Sequence, residues 1–225
     1  MTPAAIIFDF DGVIADSESV SSRSFSAALC EAGLPTTVEE AMDRYTGLTR
    51  EDTLAAISAY WGERTPHDIA DRLARHADAA FAQGIAPVPG VKDFIASAAH
   101  LPLAIGSSSR TAYLHAHLAT FGLSGRFGAH VYSGREHVTR GKPHPDIYLH
   151  AAASLGVRPE DTVIIEDSPI GARAAVASGA RVIGLCAGSH VRPSLAAVLS
   201  AEGVTAVLHS YDEVADYLGI GVVTG

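Results

Sequence analysis

Sulfur and positive charge are both scarce in this chain. Its 225 residues include two cysteines, Cys30 and Cys186, which stand far apart. They supply neither a disulfide framework nor a zinc site, and a reducing setting is the simplest expectation. Lysine and arginine number 16 against 25 aspartates and glutamates, a formal charge of −9 with histidine neutral. That balance, with no local basic stripe, argues against a nucleic-acid partner. No uninterrupted apolar run approaches the ~18 residues that a membrane-spanning helix needs. Met1-Thr2-Pro3 carries none of the basic residues that open a secretory leader, so the expectation is a cytoplasmic protein with no membrane partner. There is no Gly-x-y repeat and no low-complexity tract, and at 48% hydrophobic residues the chain is too apolar for disorder.

What the chain does contain is a repeated local pattern. Ala4–Phe8 is a short apolar run that stops abruptly at Asp9-Phe10-Asp11-Gly12. Similar runs lie at Leu103–Gly106, Ala129–Tyr132, Thr162–Ile165 and Arg181–Cys186, with a sixth at Thr205–Leu208. Continuous apolar runs mark strands buried on both faces, and the helical stretches between them predict a doubly wound parallel α/β sheet. The length corresponds to about one and a half domains at ~150 residues each. One segment breaks the alternation. From Asp16 to Ala86 only helical signals occur: a Thr37–Glu40 capping box, a helix after Thr49 stopped by Gly62, and another opening at Thr65-Pro66 and ending at Gly84. The expected organisation is therefore a core of residues 1–15 and 87–225, with residues 16–86 inserted as an all-helical cap.

Polar residues gather where the runs end, and open parallel sheets bind ligands beyond the carboxyl ends of their strands. Asp9 and Asp11 follow the first run, Ser107 the second, and Glu166-Asp167-Ser168 a later one, with Lys142-Pro143 between. Converging there, four carboxylates would repel one another strongly unless a hard dication offset them, and magnesium favours such oxygen ligands. Each motif alone has a plainer reading. Asp-x-Asp after a strand is commonly a turn. Ser109 is expected to cap the helix that opens at Thr111. Lys142 between a glycine and two nearby prolines suggests a rigidly held position. Gly171 and Gly179 are assigned to helix packing and a C-cap.

Taken in order, the blocks FDFDGVIADSE (8–18), GLTREDTL (47–54), PGV (89–91), IGSSSR (105–110), GKPHPDIY (141–148) and IIEDSPIGARAA (164–175) resemble the haloacid dehalogenase-like phosphohydrolases. The likeness is to the branch with a helical cap after the first motif, and it spans nearly the whole chain. It implies that Asp9 is a nucleophile forming an aspartyl-phosphate and that Asp11 is the general acid and then base. It implies that Ser107 binds a phosphoryl oxygen and that Lys142 offsets charge. Magnesium would be held by Asp9, the main-chain oxygen of Asp11, Asp167 and Glu166, the last directly or through water. Retention of Asp11 favours phosphate esters over carbon–halogen substrates, because an oxygen leaving group needs a proton. In the cap, Arg50 matches a residue that reaches a substrate phosphate in related sugar-phosphate mutases, although a solvated first-turn arginine is an equal reading. Ser108, Glu18 and Ser21 would line the substrate space, and Arg72 and Arg75 read as surface charges.

The resulting expectation is a monomeric phosphatase of a small phosphorylated metabolite, a sugar or sugar acid. The alternatives are a β-phosphoglucomutase-like isomerase and a receiver-like phospho-acceptor. Ser21 stands where those mutases carry a histidine that controls the acid–base aspartate, which favours hydrolysis. A receiver lacks the helical insert.

Overall fold

A computed structural model describes residues 2–45, 48, 50–189 and 191–221. The chain divides into two compact units, Met1–Asp16 with Pro87–Gly225, and Ser17–Ala86. In chain order the elements are β1 (Ala5–Phe8), α1 (Ser17–Glu31), α2 (Val38–Tyr45), α3 (Arg50–Trp61), α4 (Ile69–Ala82) and α5 (Val91–Ser97). They continue as β2 (Leu103–Ser107), α6 (Thr111–Phe121), α7 (Ser124–Phe127), β3 (Val131–Ser133), α8 (Asp146–Ser154), β4 (Thr162–Glu166) and α9 (Pro169–Ala177). The last four are β5 (Arg181–Leu185), α10 (Leu195–Ala201), β6 (Ala206–Leu208) and α11 (Tyr211–Leu218).

The six strands form one parallel sheet in the order β3-β2-β1-β4-β5-β6, the doubly wound arrangement expected. Sheet order reverses between β1 and β4, where such folds open their binding crevice. Register carries the packing. Ile7 pairs with Ala104 on one side and Ile164 on the other, and Ile164 pairs with Val182. This row packs against Ile147, Tyr148, Ala151 and Ala152 of α8 and Ala174 and Ala175 of α9. Phe8, one residue on, points to the opposite face, where its ring meets Phe94 of α5 and Phe127 of α7 edge-on at 6.1 and 5.8 Å. Each strand of the centre is buried on both faces, which is why it reads as an unbroken apolar run.

Each of the six strands departs from its expected bounds at one end, and β3 does so at both. β3 starts at Val131, not Ala129, because a turn through Gly128 still bonds the His130 amide to the Phe127 carbonyl. β6 is an edge strand and only half-buried.

The helical unit has its own core of Ala28, Leu29, Leu34, Ala41, Tyr45, Ile57, Ile69 and Leu73. Its capping box forms as read: the Thr37 amide donates to Glu40 at 2.9 Å and the Glu40 amide to Thr37 Oγ1 at 3.1 Å. The helix expected at Pro66 begins only at Ile69, because a turn comes first, bonding the Ile69 amide to the Pro66 carbonyl. Arg72, Arg75 and His76 of α4 surround Glu31 at 3.1, 3.6 and 2.6 Å, which accounts for Arg72 and Arg75 as surface charges. Among the described residues, no helix is long and apolar enough to cross a membrane.

Candidate active site

Asp9 follows β1 directly, its amide still bonded to the Ile165 carbonyl of β4 at 3.0 Å. Because side chains alternate along a strand, Asp9 shares a face with Ile7, and Glu166 shares one with Ile164. Ile7 and Ile164 are register partners, so both carboxylates extend the row covered by α8. Ser107 ends the neighbouring strand β2, and Asp167 follows Glu166. Beyond Asp11 the chain must turn back at once, and Gly12 supplies the required backbone at φ 78°. That turn is tied down by the Tyr211 hydroxyl, which donates to the Val13 carbonyl at 2.8 Å.

Lys142 enters this acidic edge with only 6% of its side chain exposed, and its ammonium donates to Asp9 Oδ1 and Glu166 Oε1, both at 2.7 Å. Burial works against its charge, but the two carboxylates outweigh that and hold its pKa above the ordinary lysine value. Asp9 is held well above the usual carboxylate range, chiefly by burial, with Lys142 opposing and Glu166 and Asp167 adding to the rise. Asp9, Glu166 and Asp167 each offer a carboxylate oxygen, and these oxygens lie within 4.8 Å of one another. One ammonium offsets one of three buried charges. The all-oxygen donor set and the remaining double negative charge fit a hard divalent cation.

Glu166 differs from the other two carboxylates in being saturated. Its Oε1 accepts from Lys142 and from the Tyr148 hydroxyl at 2.6 Å, and its Oε2 from the Asp167 amide and the Ser168 amide and hydroxyl at 3.1–3.2 Å. Five donors crowd the roughly four lone-pair sites of a carboxylate, three of them sharing Oε2, so Glu166 acts chiefly as a fixed counter-charge that places Lys142. Tyr148 lies in the GKPHPDIY block, where nothing local in the sequence marks it as a partner of Glu166. Ser168 also caps α9, accepting from the Gly171 amide at 3.1 Å.

Gly171 is part of the same construction. A β-carbon there would fall inside the Glu166 carboxylate, which is fully buried and cannot swing aside. Gly171→Ala should therefore destabilise the fold by about 1–3 kcal/mol, the usual range for overpacking. It should also lower activity by displacing Lys142. Thermal denaturation checks the first effect, and a melting point equal to wild type would show that Glu166 has room to move.

Around Asp11 the structure corrects the sequence reading. Ser109 does not cap α6. The Glu136 carboxylate takes that place, accepting from the Thr111 amide and hydroxyl. Ser109 instead donates to Asp11 Oδ2 at 2.6 Å, and the Tyr113 hydroxyl donates to Asp11 Oδ1 at 3.0 Å. Ser107 is 1% exposed and its hydroxyl oxygen accepts from the Ser109 amide at 3.0 Å. Ser108 is exposed, its carbonyl held by Arg135 at 2.9 Å. The other substrate-binding candidates belong to the helical unit. Glu18 and Ser21 lie partly exposed on α1. Arg50 opens α3, and its side chain lies outside the described structure, as do Gly47 and Thr49 of its motif.

Comparison with known proteins adds four findings. The family model for haloacid dehalogenase-like hydrolases matches residues 6–185. The fructose-1-phosphate phosphatase YqaB of Escherichia coli (strain K12) is 30% identical over 176 residues, 78% of this chain and 93% of that protein. The 6-phosphogluconate phosphatase of the same organism is 26% identical over 190 residues, 84% of this chain and 85% of that one. Among solved structures, a HAD family hydrolase from Deinococcus radiodurans R1 with bound phosphate and sodium is 36% identical. It superposes with a TM-score of 0.87 over 99% of this chain and 98% of its own.

Proposed function

The chain belongs to the haloacid dehalogenase-like hydrolases, and from that membership we propose that it is a magnesium-dependent phosphomonoesterase of small sugar or sugar-acid phosphates. The observation that carries this reading is the buried Asp9–Lys142–Glu166–Asp167 cluster at the point where sheet order reverses. The relatives named for fructose 1-phosphate and 6-phosphogluconate support the substrate class.

In the first half of the reaction an Asp9 carboxylate oxygen forms a bond to phosphorus as the ester P–O bond breaks. Asp11 gives its proton to the departing sugar oxygen. Lys142 fixes Oδ1 of the nucleophile, and the Ser107 hydroxyl is left to donate to a phosphoryl oxygen. In the second half Asp11 takes a proton from water, whose oxygen attacks phosphorus, releasing inorganic phosphate and restoring Asp9. Side chains of Asp9 and Asp167 with the main-chain oxygen of Asp11 would hold the magnesium ion, which when bound offsets the charge of the phosphoryl oxygens. Substrate choice is assigned to the helical unit, with Arg50, Glu18 and Ser21 the residues to vary first. The enzyme acts as a cytoplasmic monomer on this reading.

Chelator should abolish phosphate release, and added magnesium should restore it. Because the ion binds the folded cluster and not the unfolded chain, saturating magnesium should also raise the melting temperature. A hundredfold excess over Kd is worth about 2.7 kcal/mol, or roughly 5–10 °C for a chain of this size. Asp167→Asn should lose most of that rise. Full turnover in chelator would refute the metal assignment. Hydrolase and mutase separate when β-glucose 1-phosphate is supplied with a trace of the 1,6-bisphosphate. Glucose 6-phosphate forming far faster than phosphate would make the chain a mutase despite Ser21.

A further inference from the structure

We propose that Tyr113, together with Ser109, is a positioning residue that fixes the attitude of the Asp11 carboxylate for proton transfer to the leaving group. The proposal rests on the phosphatase reading above and extends it to a side chain that no part of the motif pattern assigns. Each Asp11 oxygen receives its own hydroxyl: Ser109 Oγ donates to Oδ2 at 2.6 Å and Tyr113 to Oδ1 at 3.0 Å. Two donors from different points of the chain settle the carboxyl torsion, which a single bond would leave free to turn.

The tyrosine can do this because its ring is itself held. Phe10, beside Asp11 in sequence, meets it edge-on at 5.9 Å, and His117, one helical turn further along α6, meets it at 4.5 Å. The serine is held too, since its amide donates to the Ser107 hydroxyl oxygen at 3.0 Å. The loop that would bind the phosphoryl group is thereby tied to the acid–base group. A protonated carboxyl still has acceptor capacity on both oxygens, so both hydroxyls can go on donating and leave the Asp11 proton for the leaving group. Orientation matters most where the leaving oxygen is basic and needs its proton in the transition state, and small misplacements there are costly in rate.

Tyr113→Phe keeps the ring and removes only the hydroxyl. The test compares phenyl phosphate with p-nitrophenyl phosphate, which share a shape but differ in leaving-group basicity. Loss of one hydrogen bond to a carboxylate should lower kcat/KM for phenyl phosphate roughly 10- to 100-fold and that for p-nitrophenyl phosphate far less. Ser109→Ala should shift the ratio in the same direction, which guards against a variant that misfolds. Equal losses on both esters, or no loss on either, would overturn the proposal while leaving the phosphatase reading intact. Absence of phosphate release from either ester by the unaltered enzyme would overturn both.

Discussion

Asp9→Asn should abolish phosphate release, lowering kcat by about four orders of magnitude or more, as removal of a nucleophile does. The change is close to isosteric and leaves an amide oxygen to accept from Lys142, so the fold should survive. It should in fact gain. Burial, opposed by Lys142 and reinforced by Glu166 and Asp167, raises the Asp9 pKa well above its ordinary value, so its ionisation costs folding free energy without a metal ion. A folded pKa raised above the unfolded one makes that cost absent below the unfolded pKa, and it grows as pH rises through the folded one. The metal-free variant should therefore melt above wild type at neutral pH, and the gap should close in acid. Rapid quench with labelled ester decides the chemistry: an acyl-phosphate still trapped in Asp9→Asn would place the nucleophile elsewhere.

Lys142→Met is expected to be the most destabilising single change at the site. The ammonium lies 2.7 Å from both Asp9 and Glu166, with 6% of its side chain exposed. A methionine of similar length would leave two buried carboxylates uncompensated. Breaking a buried pair from one side costs about 3–5 kcal/mol, roughly 6–20 °C in melting temperature for this chain length. The sign with pH follows from the direction of each shift. Lys142 has its folded pKa raised by Asp9 and Glu166 against the opposing effect of burial. Its stabilisation is thus fully present below the unfolded lysine pKa, about 10.4, and is lost as pH rises through the folded value. Between pH 6 and 9 the deficit of the variant should be at its full size. It should shrink towards acid, where the carboxylates can take up protons in the fold, and saturating magnesium should recover part of it. A loss below about 1 kcal/mol, independent of pH, would describe a solvated surface lysine instead.

Much of this site is legible along the chain because strand ends have a local signature. An apolar run that halts on a polar residue marks where a buried strand leaves the sheet, and Asp9, Ser107 and Glu166-Asp167 each stand at such a halt. The capping box at Thr37–Glu40 is legible for a similar reason, since both partners lie within one turn. What lies beyond is set by partners that no window contains. The order β3-β2-β1-β4-β5-β6 depends on non-local pairing, and it alone makes Asp9 and Glu166 neighbours. Glu166 looks like a free ligand in sequence, yet donors from α8, the Lys142 loop and the start of α9 saturate it. Ser109 has the local context of a helix cap, and a cap and an acid–base partner read alike within a few residues. Only the fold brings it to Asp11 across 98 positions, and Tyr113 across 102. The strands, the helical stretches and the polar residues at strand ends can be read along the chain, because they follow from local periodicity and from where it breaks. Which donor meets which carboxylate is fixed by the fold, because a hydrogen bond is settled by distance in space, and residues a hundred positions apart share no local pattern.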